Sequence, residues 1–171
     1  SSTVRIDWRG HMVTKKVLKQ YISLKNEVKE TKEKIKSLEI QICQISKRLR
    51  EIEVKKESVR DKVKGGMGGI QGFQIEGLPI REYQTKKSEL MMKNILLNQR
   101  KSTLEILEYE LLEKTNEIER FIMGIQDSQM RRIISLRFIE NLSWNMVADR
   151  IGGNNTEDSI RKAFERFMKK I

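Results

Sequence analysis

Residues 156–170 place polar and basic side chains along one side of a predicted helix. Apolar residues recur there at helical spacing, which turns the remaining side chains outward. The apolar set is Ile160, Ala163, Phe164, Phe167 and Met168. The outward set is Ser159, Arg161, Lys162, Glu165, Arg166 and Lys169. Arginine and lysine donate hydrogen bonds to guanine and to phosphates, and a helix fits the major groove of DNA. The spacing therefore predicts a DNA-reading helix. The alternative is that the three short helices of this region form a solvated cap on a coiled coil.

The segments before this helix predict the rest of a helix-turn-helix. Ser143 caps a short helix over 143–151 and is itself a candidate DNA contact. Gly152 then makes a turn, and Thr156 caps the last helix. A preceding helix over about 128–140 carries three candidate phosphate clamps, Arg131, Arg132 and Arg137. A helix, a glycine-containing turn and an amphipathic helix together have the layout of a helix-turn-helix.

No group of residues in the sequence calls for catalysis. The glycines of 65–79 are not followed by the Lys-Ser/Thr pair of a phosphate-binding loop. The single cysteine, Cys43, excludes an internal disulfide and a thiolate-rich zinc site. The only histidine, His11, lies in residues 1–11, which we interpret as a cloning scar. The sequence therefore predicts no enzyme, no catalytic residues, no cofactor and no metal ion.

A heptad repeat runs through the first half of the chain. With Val28 at position a, ten of the twelve a and d positions from Leu24 to Val63 are apolar, and the exceptions are Thr31 and Lys56. Such a stripe predicts a long helix, over about residues 13–64, that packs against a partner helix. We interpret its lysine-rich exterior as a solvated face, with contact to a phosphate backbone as the alternative.

Glycine and proline interrupt this helix, and a second heptad repeat follows. The stretch 65–79 contains six of the ten glycines and the only proline, Pro79, which end a helix. The second repeat has apolar residues seven apart, at Tyr83, Leu90, Leu97, Leu104, Leu111, Ile118 and Ile125. Two long helices joined by such a breaker predict an antiparallel hairpin.

The second helix also carries apolar residues away from its heptad stripe. These residues are Met91, Met92, Ile95, Leu96, Ile106 and Leu112. A two-helix hairpin alone would leave them in water, so the pattern predicts a homo-oligomer, with a dimer favoured.

The composition suits long helices and a nucleic-acid partner. Hydrophobic residues make up 37% and charged residues 35% of the 171 residues, with a net charge of +11 and a mean hydropathy of −0.59. Residues 12–64 hold 16 Lys+Arg against 8 Asp+Glu, so the basic excess is concentrated in the first helix. No apolar run is long enough to span a bilayer. We expect a soluble, cytoplasmic protein with no membrane partner.

The stretch IISLRFIENLSWNMVADRIGGNNTEDSIRKAFERFMKK, residues 133–170, resembles region 4 of sigma-factor-like proteins. It looks most like the small phage-encoded transcriptional regulators of Gram-positive bacteria (the RinA/ArpU-like group), which are similar in layout. The resemblance implies sequence-specific binding to double-stranded DNA and control of phage or prophage genes in a bacterial host cell. It also implies that 156–170 is the recognition helix and 143–151 the scaffold helix, with RNA polymerase as a possible second partner.

The sequence departs from that pattern at Glu157 and Asp158, where basic or polar residues often begin the recognition helix. The acidic pair has two interpretations. It caps the helix by facing the positive end of the helix dipole, or it accepts hydrogen bonds from cytosine amino groups.

Together these patterns predict an all-α protein in three parts. Residues 1–11 are the scar, residues 12–125 form a coiled-coil hairpin with a glycine-rich loop at 65–80, and residues 126–171 form a sigma-like helix-turn-helix domain. The predicted function is transcriptional regulation. Two alternatives stay open: a phage small terminase-like DNA-packaging recognition protein, and a coiled-coil protein that binds a host factor.

Overall fold

A computed structural model describes residues 13–64 and 79–171. The elements in those residues are α1 (Lys15–Lys64), α2 (Ile80–Gly124), α3 (Ser128–Ile134), a π-helical turn (Ser135–Ile139), α4 (Trp144–Ile151) and α5 (Glu157–Lys169). All are helical, and no strand occurs in these residues, so the predicted all-α class with a long hairpin followed by short helices is confirmed. The proposed scar and the glycine-rich stretch 65–78 lie outside the described residues.

The chain divides into two compact units, and both long helices contribute to each. We call residues 30–64 and 79–104 the hairpin unit, and residues 13–29 and 105–171 the terminal unit. The short helices α3, α4 and α5 therefore share a unit with the beginning of α1 and the end of α2. The sequence had not indicated this grouping.

The two helices of the hairpin unit run antiparallel. The Arg48 guanidinium donates to both carboxylate oxygens of Glu82, at 2.8 and 3.1 Å. Lys93 Nζ donates to Gln41 Oε1 at 2.6 Å. The partner on α2 has a higher number when the residue on α1 has a lower one, which fixes the opposite directions. Long polar side chains at the edges of an apolar stripe set the register of such pairs.

The predicted heptad stripe of α1 is buried in the hairpin unit. Six of its positions are buried, namely Thr31, Ile35, Leu38, Ile45, Leu49 and Ile52. The two polar residues of the stripe differ in exposure: Thr31 is buried and Lys56 is exposed. On α2 the corresponding residues Tyr83, Leu90, Leu97 and Leu104 are half-buried. Burial of a leucine or isoleucine contributes about 1.5–3 kcal/mol, so this stripe is the main source of stability for the unit.

One continuous core organises the terminal unit. The beginning of α1 contributes Leu18 and Tyr21, and the end of α2 contributes Ile118 and Ile125. The shorter helices complete the core with Met130, Ile133, Ile134, Leu136, Phe138, Val147, Ala148, Ile160 and Phe164. Leu18 and Ile118 are fully buried, so large-to-small substitution at either position is expected to cost about 2–5 kcal/mol. The short helices therefore pack on the long ones as well as on each other.

The predicted helix over 128–140 is two elements. Asp127 caps α3, because its Oδ1 accepts from the backbone N–H of Gln129 at 2.9 Å. After Ile134 the backbone widens into the π-helical turn, which closes when Glu140 N donates to Ser135 O at 3.0 Å. Asn141 then adopts a left-handed backbone with φ of 57°, a conformation that asparagine tolerates. The predicted end of this helix near residue 140 is confirmed, and the π-helical turn before Asn141 is not visible in the apolar spacing.

Candidate nucleic-acid interface

Helices α4 and α5 begin at the residues that the sequence predicted as caps. Ser143 Oγ accepts from Met146 N at 3.3 Å, and Thr156 Oγ1 accepts from Ser159 N at 3.2 Å. Each side chain satisfies one of the free N–H groups in a first helical turn. Ser159 Oγ in turn accepts from Thr156 N at 2.9 Å, which completes a capping box. Two candidate DNA contacts, Ser143 and Ser159, are therefore engaged in starting helices.

The turn between these helices depends on glycine. Gly152 has φ of 76° and ψ of −167°, a backbone region that is essentially restricted to glycine. Gly153 follows with φ of 69°. The side chain of Asn155 then donates from Nδ2 to Gly152 O at 2.7 Å. The chain reverses within a few residues, which brings α5 back against α4.

One side of α5 seals the core and the other faces solvent. Ile160 and Phe164 are 2% and 1% exposed. Trp144 of α4 packs beside them, with its ring 5.2 Å from that of Phe164 and 6.4 Å from that of Phe138. The Trp144 ring therefore packs between helices. The opposite side of α5 is exposed at Arg161, Lys162, Arg166 and Lys169.

Asp158 orients the first two basic side chains of that exposed side. Arg161 Nη2 lies 2.9 Å from Asp158 Oδ1, and Lys162 Nζ lies 4.0 Å from Asp158 Oδ2. All three side chains are half or more exposed, so these ion pairs hold them weakly. A negatively charged ligand can therefore displace the Asp158 carboxylate at little cost in free energy and pair with both Arg161 and Lys162. The acidic pair also lies in the first turn of α5, where negative charge is favourable.

Glu165 is paired with the beginning of α1. Lys15 Nζ donates to Glu165 Oε1. That hydrogen bond is the main cause that lowers the pKa of the Glu165 carboxyl below its usual value, with further contributions from the charges of Lys15, Lys169 and Lys19. The α1 lysines thus extend the basic surface of α5. The sequence did not predict this, although Leu18 is apolar and off the heptad stripe, which was a usable sign that another element packs there.

Arg137 is committed to the fold. Its Nη1 donates to Leu142 O at 2.7 Å, and its guanidinium carbon lies 5.0 Å from the centre of the Trp144 ring. Its Nε is buried and has no hydrogen-bond partner among the described residues. A guanidinium placed this way holds the loop after the π-helical turn against α4. The Arg137 residue is half-buried.

The other two candidate clamps differ in exposure. Arg131 is half-buried and donates from Nη1 to Ile125 O at 3.1 Å. Arg132 is exposed, and its Nη2 donates to Arg150 O at 3.4 Å. Of the three candidate clamps, Arg132 is the exposed one, whereas Arg131 and Arg137 are half-buried and donate to backbone carbonyls.

Comparison with known proteins supplies no relative for this arrangement. No protein-family model matches the chain, and neither the curated proteins nor the solved structures include a match. None of the described helices is both long enough and apolar enough to cross a membrane.

Proposed function

We propose that the protein is a sequence-specific regulator that binds double-stranded DNA and controls phage or prophage genes in the cytoplasm of a bacterial host. The exposed side of α5 would enter the major groove. The chain would act as a dimer, with RNA polymerase as a candidate second partner. This proposal extends the resemblance of residues 133–170 to sigma region 4.

One observation carries the proposal. Helix α5 buries Ile160 and Phe164 on one side and exposes four cations on the other. With its side chains a helix is about 10–12 Å wide, and the major groove is about 12 Å wide. Two caps and a glycine turn hold α5 at a defined position against α4, and recognition of bases requires a rigidly held helix.

Within α5 the residues divide between two tasks. Arg161 and Lys162 lie early in the helix, where a groove-bound helix presents side chains to base edges. Arg166 and Lys169 lie later, and with Lys15 and Lys19 of α1 they supply cations for the phosphate backbone. Arginine paired with guanine is the most frequent specific contact of this kind. We therefore assign base reading to Arg161 first.

The proposal is tested by selecting the DNA fragments that the protein binds and then measuring its affinity for them. Fragments of the source genome that the full chain retains would be sequenced and footprinted. Affinity for a selected duplex and for a scrambled duplex of equal length would then be measured over a salt series. We expect the selected duplex to bind about 10³-fold or more tightly near physiological salt. Equal affinity for both at every salt concentration would leave only the electrostatic attraction of a +11 chain to any DNA and would reject the proposal.

A further inference from the structure

Glu157 is the first residue of α5, and its side chain is exposed. The next two side chains are engaged within the first turn. Asp158 Oδ1 lies 2.9 Å from Arg161 Nη2, and Ser159 Oγ accepts from Thr156 N at 2.9 Å. Among the described residues, no hydrogen bond or ion pair engages the Glu157 carboxylate. The structure therefore gives the two adjacent acidic residues different surroundings.

The free carboxylate lies in the same row of α5 as Arg161. Glu157 and Arg161 are four residues apart, so their side chains are neighbours on the helix surface. Both residues are exposed. Residues near the N-terminal end of a recognition helix are the ones that contact base edges. Any docking that brings Arg161 to a base therefore also brings the Glu157 carboxylate into the major groove.

A carboxylate in the major groove needs a hydrogen-bond donor, because it gives up water there and lies between two phosphate backbones. Guanine and thymine present only acceptors and a methyl group in that groove. Adenine presents an amino donor beside the N7 acceptor, whereas cytosine presents its N4 amino donor without an acceptor beside it. Cytosine is therefore the base whose edge complements a carboxylate best.

We infer that Glu157 reads a cytosine of the DNA target, within about two base pairs of the guanine that Arg161 reads. This inference rests on the proposed function and names two bases of the target sequence. The spacing follows from the helix, since four residues rise about 6 Å along α5 and successive base pairs are about 3.4 Å apart. Asp158 has a separate task, because it pairs with Arg161 and not with DNA.

Stabilisation of the helix is the competing role for Glu157. A negative charge in the first turn is favourable whether or not DNA is bound. If that were the whole role, removal of the charge would change the affinity for every duplex by the same factor. Base reading instead confines the main effect to one position of the target. The two roles are therefore distinguished by measuring each base position separately.

The test is a base-by-base affinity profile of the selected duplex. Each base pair of the footprinted target would be replaced in turn, and the full wild-type chain, Glu157→Ala and Glu157→Gln would be compared at one salt concentration. We expect the wild type to lose about tenfold in affinity when one particular cytosine is replaced, and Glu157→Ala to bind all bases at that position equally. Glu157→Gln should prefer adenine there, because an amide pairs with N6 and N7 of adenine.

Glu113→Gln provides the control of equal charge change, because Glu113 is an exposed glutamate of α2 in the terminal unit. This variant should keep the wild-type profile. Circular dichroism should show unchanged helicity in every variant, so that a lost preference is not a lost fold.

Two results would overturn the inference. One is a Glu157→Ala profile that matches the wild type or differs from it by a single factor at all positions. The other is loss of the cytosine preference in Asp158→Asn but not in Glu157→Ala. In both cases a wild type that prefers the selected duplex leaves the proposed function standing. A wild type without preference at any position would reject the proposed function together with the inference.

Discussion

Lys25 of α1 donates a hydrogen bond to the backbone carbonyl of Phe138 at 3.4 Å, and also to the carbonyl of Ile139. These carbonyls belong to the end of the π-helical turn, where the backbone cannot supply all the donors. Burial lowers the pKa of the Lys25 side chain below its usual value. Its Nζ still donates to both carbonyls. A long-helix side chain thereby fixes the segment that leads into α4.

Replacing this lysine should loosen the terminal unit. Lys25→Met keeps the aliphatic stem and removes the donor, so it leaves the carbonyls of Phe138 and Ile139 with poorer partners. We expect a loss of about 1 kcal/mol in the free energy of unfolding, because a partly solvated charged hydrogen bond has about that value. Denaturant unfolding would measure it, with Lys29→Met, an exposed lysine one turn later, as the control. Equal stability of the two variants would show that the Lys25 contacts contribute nothing.

The pairing of Lys15 with Glu165 predicts a dependence on pH. The pKa of Glu165 is lower in the folded chain than in the unfolded chain, so the pair stabilises the fold above the ordinary carboxyl pKa. That contribution is lost as the pH falls through the folded value. Lys15→Met should therefore move the Glu165 pKa upward. Carbon NMR titration of the carboxyl would measure the shift, with Lys16→Met as the control.

An unchanged titration of Glu165 in Lys15→Met would contradict the pairing. An equal rise in Lys16→Met would instead assign the effect to general charge around α5. Lys169 and Lys19 lower the Glu165 pKa while desolvation raises it, so the downward shift should depend on Lys15 and persist in Lys16→Met.

Arg137 and Arg132 should respond differently to substitution, because Arg137 stabilises the fold whereas Arg132 is available to contact phosphate. Arg137→Met removes the hydrogen bond to Leu142 O and the contact with Trp144, and it also removes a buried, unsatisfied Nε. Loss of the hydrogen bond to Leu142 O costs about 1.5–3 kcal/mol in the free energy of unfolding, and removal of the unsatisfied Nε offsets part of that cost. We expect a net destabilisation of about 1 kcal/mol and an unchanged salt dependence of DNA affinity. Arg132→Met should show the reverse, with near-normal stability and a salt slope reduced by about one.

An Arg137→Met chain of normal stability with a reduced salt slope would contradict this assignment. Arg137 would then be a phosphate clamp, as the sequence suggested. Both properties would be measured on the same preparation, so a change in folded fraction cannot imitate a change in affinity.

Local signals in the sequence were sufficient for the elements of this fold. The caps at Ser143 and Thr156, the turn at Gly152 and the buried stripe of α1 depend on residue type and spacing within a few turns of helix. Each is as predicted in the structure. The antiparallel direction of α1 and α2 also followed, because a glycine-rich breaker joins two heptad repeats.

The division of labour among the arginines depended on contacts that spacing does not encode. Arg131 and Arg137 resemble Arg132 in sequence, but a π-helical turn and the Trp144 ring draw Arg137 into the fold. Lys15 lies 150 residues from Glu165, so only the folded chain brings these two residues together. The tertiary packing of α1 against α5 therefore decides which cations remain for a ligand.

Arg161 allows the most direct test of the central claim, which is that α5 reads DNA sequence. Affinities of Arg161→Ala for the selected and the scrambled duplex would be measured across a salt series. Arg50→Ala, which removes an exposed arginine from the hairpin unit, provides the control of equal charge loss. We expect Arg161→Ala to lose about 1–3 kcal/mol on the selected duplex and much less on the scrambled one. Arg50→Ala should keep the wild-type ratio between the two. If Arg161→Ala lowers both affinities by the same factor, α5 does not read sequence at that position, and the central claim fails.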